Sequence, residues 1–259
     1  RPGARPSRGF VLVGAILALF AAGQRPAPAE TDQTLTPARP AARLRVADFL
    51  PAGYVTDGSV SYQREVHRPI HQAARQRAVL EFASITYAVS EGGWQLLSGR
   101  TLDMRGALFR VGEQCTKDGA VFHGRDVSGL TLTGGEIAGR NDVWPDGVNI
   151  RGVHLAGRCD RIRISGMHLH DLSSNGIGIF GEADRFARDV WVRDVIVENC
   201  CKKYPDYLSG EKDEPDSRRE DQGDVAFYFV EDFLVEGCRF ERSRSDATHF
   251  YRCRHGQIV

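Results

Sequence analysis

The sequence predicts an all-β solenoid of stacked coils, and three observations within its 259 residues predict it. From about residue 79 the helical spacing of apolar residues gives way to short alternating runs broken by Gly, Asn and Asp, the signature of strands. One run recurs: Leu130-Thr-Leu132-Thr-Gly134, Ile162-Arg-Ile164-Ser-Gly166, Val190-Trp-Val192-Arg-Asp194 and Phe233-Leu-Val235-Glu-Gly237. A second run follows it each time: Asp146-Gly-Val148-Asn-Ile150, Asn175-Gly-Ile177-Gly-Ile179, Gly223-Asp-Val225-Ala-Phe227 and Asp246-Ala-Thr248-His-Phe250. Two of the four offsets are 13 residues (162 to 175, 233 to 246), too short to hold a crossover helix between parallel strands. Repeats of period-2 strands with variable loops on one edge indicate a solenoid whose rungs pair with the rungs above and below.

The remaining elements follow in order along the chain. Residues 1–9 are basic, Phe10–Ala22 is a 13-residue apolar run, and Ala27-Pro28-Ala29 fits a small-x-small cleavage site. A bilayer-spanning helix needs ~20 apolar residues, so residues 1–29 read as a secretory signal peptide and the protein as secreted or periplasmic. No stable membrane insertion is expected once the signal is removed. Residues 30–45 read as a linker and 46–259 as the solenoid domain, C-terminally incomplete because the last residues enter a fresh strand. Val55-Thr-Asp57-Gly58-Ser59 marks a turn before a helix-like stretch that carries Pro69 in its middle, where a helix starts or kinks. Ala78–Phe82, Tyr87–Val89 and then Leu97-Ser-Gly99-Arg-Thr101-Leu102 follow. Within the repeats, each first run is followed shortly by another apolar residue: Ile137, Leu169, Val197 and Phe240.

Composition bounds the function. Hydrophobic residues at 41% and charged residues at 26% are ordinary for a globular chain and exclude disorder, collagen and a polytopic membrane protein. The formal net charge is zero, from 34 basic and 34 acidic residues. Residues 1–29 hold four Arg (Arg1, Arg5, Arg8, Arg25) and no acid, so the body carries 30 against 34, a net of −4, which argues against nucleic acid as a partner. Six Cys (115, 159, 200, 201, 238, 253) are disulfide candidates in an exported chain. They contain no C-x-x-C pair, so no zinc site is expected, and some suit the core as small apolar residues.

The repeats over roughly residues 79–259 resemble the right-handed parallel β-helix of the pectate-lyase-like superfamily. The order of turn, short helix and first strands over residues 55–102 resembles that family's capped entry segment. The resemblance implies an all-β, right-handed parallel β-helix with a short N-terminal capping helix. It also implies a function within a superfamily rich in polysaccharide lyases, hydrolases and epimerases. One departure is specific. Polygalacturonase-like members carry an Asn-x-Asp-Gly stretch and then an Asp-Asp pair one coil later, whereas here Pro145-Asp146-Gly147 is followed by Ser174-Asn175.

Candidate site residues come from the second run. If Val148, Ile177, Val225 and Thr248 face inward, strict alternation puts Gly147, Gly176, Asp224 and Ala247 on the outer face, with Asn149, Gly178, Ala226 and His249 two residues on. That is a floor of small residues from which Asn149, Asp224 and His249 rise. Strand spacing would put Asp224 and His249 ~8 Å apart, a separation suited to an acid–base pair across a glycosidic oxygen or a sugar C5 proton. Asp224, His249 and Asp246 are the candidate catalytic residues. Asn149, Asp146, Asn175, Tyr204, Tyr207 and Tyr228 are the candidate substrate contacts. Asx residues also favour bends for their own backbone bonding, which is the competing account of Asp146, Asn175 and Asp246. The loop Lys202–Gln222 has 12 charged residues of 21, and its acids are candidate Ca²⁺ ligands.

Two functional classes remain open at this level. The first is an exported carbohydrate-active enzyme, lyase or glycoside hydrolase, with a polysaccharide substrate and a monomeric state. The second is a non-catalytic β-helix surface or tailspike-like protein that binds glycan. A fold alone does not choose between them.

Overall fold

The computed structural model describes residues 42–201 and 223–259. In them the chain winds as a parallel β-helix in which successive coils add strands to three parallel sheets. Sheet I runs over eight strands, from Arg43–Arg45 to Arg254–Ile258. Sheets II and III have six strands each, from Thr86–Val89 to Arg239–Glu241 and from Trp94–Gln95 to Thr248–Tyr251. The pairing strand Arg43–Arg45 falls in the stretch that the sequence suggested was linker. Among the described residues no helix is long and apolar enough to cross a membrane.

The first recurring run stacks in register as expected. Leu130, Ile162, Val190 and Phe233 form one inward column of sheet I, and Ile137, Leu169, Val197 and Phe240 form the matching column of sheet II. Between those sheets the chain turns on a left-handed residue in each coil: Gly134, Gly166, Asp194 and Gly237, at φ 67, 63, 52 and 63. Glycine meets that φ without strain, and aspartate is among the few side chains that tolerate it.

The second run stacks as expected for Ile177, Val225 and Thr248, but its first member does not. Ile177 pairs with Val153, not Val148. Asp146-Gly-Val148-Asn-Ile150 and Arg151-Gly-Val153-His-Leu155 alternate equally well, so periodicity cannot separate them. Turn chemistry does: Val148 N–H donates to the Pro145 carbonyl at 3.3 Å, and Gly147 is left-handed at φ 80. Pro145–Val148 is therefore a turn, and the sheet III strand begins at Ile150.

The N-terminal end is closed by the helix Gln63–Gln76, which runs through Pro69 and buries Val66, Ile70 and Ala73 completely. Trp94 Nε1 donates to the Gln63 carbonyl at 3.0 Å, and Gln63 Nε2 donates to Gly93 O at 2.8 Å, so the cap is tied to the first coil by hydrogen bonds. Beneath it Phe82, Tyr87, Trp94, Phe109 and Phe122 pack ring against ring at 5.1–6.5 Å. All six cysteines are free thiols, so the disulfide expectation is not met. Cys115, Cys159, Cys200 and Cys201 are buried, and burial pushes the Cys159 thiol up to about 11. They pack as small apolar residues.

Candidate functional site

The site lies on the outer face of sheet III and depends on where each coil turns into that sheet. The residues just before Val153, Ile177, Val225 and Thr248 are Gly152, Gly176, Asp224 and Ala247. A Cβ on Gly152 would lie 2.4 Å from Leu169 Cδ2, and one on Gly176 would lie 2.6 Å from Val197 Cγ1, both of them core side chains. At Gly152, Gly176 and Asp224 this column therefore faces inward, as does the next one, while Ala247 on the last rung is exposed. Two consecutive inward residues break the alternation at the corner. Gly176→Ala is expected to overpack this corner and cost about 1–3 kcal/mol, read as a lowered melting temperature.

Asp224 occupies that corner, and this corrects its expected outward position. It is fully buried beside Cys200, Cys201 and Ser243. Neither carboxylate oxygen has a hydrogen-bond partner of ordinary geometry among the described residues. Burial drives the carboxyl up to about 7, against smaller lowering from Ser243 and Cys201. Asp224 and His249 thus lie on opposite sides of the sheet and do not form a pair.

His249 does face outward, and its partner is Asp246. Its Nδ1 lies 3.1 Å from Asp246 Oδ2, and its ring stacks on Tyr228 with centroids 5.5 Å apart at 29°. His249 Nε2 is buried and has no partner among the described residues. The carboxylate at Nδ1 orients the imidazole. Because the ring is stacked, His249→Ala is expected to cost about 0.5–1.5 kcal/mol from the lost aromatic contact. The comparison in thermal melts is His249→Phe, which keeps the stack and should recover most of that loss.

The other sequence candidates separate. Asn175 is fully buried, and its Nδ2 donates to Gly223 O at 2.7 Å, holding the corner of the next coil instead of reaching a groove. Asp146 lies in the exposed turn before sheet III. Asn149 is not in the outer column; its backbone N–H donates to Asp118 Oδ1 at 2.9 Å. Tyr228 points outward but is 2% exposed, packed between Phe180 and Tyr251 at 5.4 Å from each. Tyr204, Tyr207 and the acids considered for Ca²⁺ lie outside the described residues.

The true outer column is Gln95, His123, His154, Gly178, Ala226 and His249. His154 takes the place that the sequence register gave to Asn149, and His123 continues the column one rung earlier. The signal was present: Phe122-His123-Gly124 and Val153-His154-Leu155 alternate like the other rungs, but the Asp-Gly turn drew the register five residues too early. Beside the two imidazoles opens a depression of ≈ 290 Å³ lined by Glu91, Gly92, Asp118, Gly119, Ala120, His123, Arg151 and His154. Burial first, then Arg151 and His123, lower His154 to about 4, so it is a neutral base at neutral pH. Its Nδ1 is buried and has no hydrogen-bond partner among the described residues. Burial also lowers His123, against the hydrogen bond of its Nε2 with Gly92 O at 3.2 Å. The depression thus brings together a guanidinium, two neutral imidazoles and two carboxylates. Beyond it Phe180 lies over Gly178, where a Cβ would come within 2.4 Å of Phe180 Cε2, and its ring meets His154 at 5.0 Å.

Fold and face together define a parallel β-helix protein with a polar depression and an aromatic ridge on one sheet. Comparison with known proteins agrees on the fold. A protein of Parabacteroides merdae ATCC 43184 described as a "putative glycosyl hydrolase" superposes with a TM-score of 0.57 at 14% identity, over 83% of this chain and 93% of that one. The A-module of a mannuronan C-5 epimerase of Azotobacter vinelandii gives a TM-score of 0.49 at 11% identity, over 83% of this chain and 75% of that one. No family model matches the sequence. No curated protein matches it either.

Proposed function

We propose that this protein is a carbohydrate-active enzyme that binds a uronate-containing polysaccharide along the outer face of sheet III. The observation that carries the reading is the depression in which Arg151 stands beside the neutral imidazole of His154. Abstraction of a sugar C5 proton needs a cation to neutralise the neighbouring carboxylate and a base with a free lone pair. Arg151 supplies the first and His154 the second. The fold match to a protein described as a glycosyl hydrolase is compatible with a sugar substrate at the level of class. Export by the basic and apolar N-terminal segment belongs to the same proposal.

Glu91 and Asp118 line the same depression and support glycoside hydrolysis as a second reading, since that reaction needs two carboxyl groups. The test is a panel of pectate, alginate, glycosaminoglycan and neutral glycans. Ultraviolet absorbance of an unsaturated product would show elimination, and reducing ends without it would show hydrolysis. Exchange of C5 hydrogen with solvent deuterium without chain cleavage would show epimerisation. A folded protein that binds a glycan of the panel yet is silent in all three assays would sink the enzyme reading and leave the glycan-binding one.

A further inference from the structure

A second cluster lies on another sheet and takes no part in the proposed function. The sheet II strand His168–His170 has Leu169 buried in the core, so His168 and His170 project together from the outer face. Their rings lie 4.7 Å apart between centroids. The neighbouring strand Glu136–Ala138 pairs Glu136 with His168 and Ala138 with His170. Glu136 reaches diagonally, and its Oε1 lies 3.0 Å from His170 Nε2. One donor atom from each of Glu136, His168 and His170 lies within 4.8 Å of the other two.

We propose that Glu136, His168 and His170 form a binding site for a divalent first-row transition metal of the zinc class. Two imidazoles and one carboxylate suit such an ion, whereas the hard ions Ca²⁺ and Mg²⁺ prefer oxygen alone. Bonds of about 2.0–2.2 Å place the donors of a tetrahedral ion roughly 3.3–3.6 Å apart. Small rotations of these three half-buried side chains suffice to reach that from the present spacing. Three protein ligands leave the fourth position open to water or an anionic donor.

The surroundings give an independent argument. A ligating histidine usually donates its second ring N–H to a carboxylate, which fixes tautomer and orientation. Asp171 Oδ2 stands 2.7 Å from His170 Nδ1, on the side of the ring away from Glu136. Asp171 is itself held in the left-handed region at φ 56 and accepts a hydrogen bond from Asn199 Nδ2. Glu198 Oε2, 3.4 Å from His168 Nε2, adds negative charge and is paired with Arg242. The carboxylates Glu136, Asp171 and Glu198 thus lie about the two imidazoles, with Arg242 paired to Glu198, and negative charge close to the donors favours a cation.

The test uses untagged full-length protein freed of metal and titrated with Zn²⁺ alone by calorimetry, and with Co²⁺ alone by visible absorption. One equivalent should bind, and the Co²⁺ spectrum should show d–d bands without thiolate charge transfer, since six cysteines are the competing ligands. The double variant His168→Ala/His170→Ala should abolish that equivalent. Asp171→Ala should weaken it about 10–100-fold, and Asp171→Glu should restore part of the affinity. All these side chains lie outside the coil, and melting curves check that each variant is folded; His170→Gln alone serves if the double variant is not. Absence of binding, binding that survives loss of the histidines, or a thiolate signature would overturn the proposal.

Discussion

Replacing His154 with Ala should lower turnover on a uronate polysaccharide by ~10²–10⁴-fold, the usual effect of losing a general base. The expectation rests on the depression in sheet III. His154 is held neutral down to about pH 4 by burial and by Arg151 and His123, and its Nδ1 has no hydrogen-bond partner among the described residues. The acid limb of the rate profile should therefore lie near 4, well below the ordinary histidine range. Arg151→Ala removes the second cause of that depression, so the limb should move upward in pH while KM for the charged substrate rises. A purely structural His154 predicts otherwise. Its ring contact with Phe180 would be lost at a cost of about 1 kcal/mol, and activity would fall only in proportion to unfolding. Measuring melting, kcat and the pH profile on both variants separates the two roles.

The coil architecture was legible because burying one face per strand forces a period of two, and a coil with no helix forces short offsets. Sheets I and II stack Ile162 on Leu130 and Leu169 on Ile137, as the repeats implied. The site was less legible, for two physical reasons. At the first sheet III rung, two neighbouring segments alternate identically, and the turn at Pro145–Val148 chooses between them by backbone geometry. That choice moved His154 into the column and Asn149 out of it. At the corners before the sheet III strands of Val153, Ile177 and Val225, two successive residues point inward, and period-2 reasoning does not contain such a bend. Gly152 and Gly176 show it by the absence of space for a Cβ. The pairing of His249 with Asp246 follows from their spacing of three residues across the bend, which composition and periodicity leave open.

Asp224 provides the second large effect, and its sign is opposite to that of an ordinary surface carboxylate. Its carboxyl sits at about 7 in the folded protein against 3.8 for the unperturbed group, because burial disfavours the charged form. Below about pH 4 both folded and unfolded chains hold the proton, and its contribution to stability is fully present. Between pH 4 and 7 the unfolded chain ionises while the folded chain does not, so stability falls by about 1.4 kcal/mol per pH unit. Above 7 the loss is complete, on the order of 4 kcal/mol. Asp224→Asn keeps the shape and removes the titration. Its stability relative to the parent should thus grow from pH 4 to 7 and then level off, as followed by denaturant melts across that range. Taking the difference between the two proteins cancels the other titrating groups. A difference that stays flat with pH, together with lost activity, would mean that Asp224 is ionised and reaches solvent, and the inward corner would be wrong.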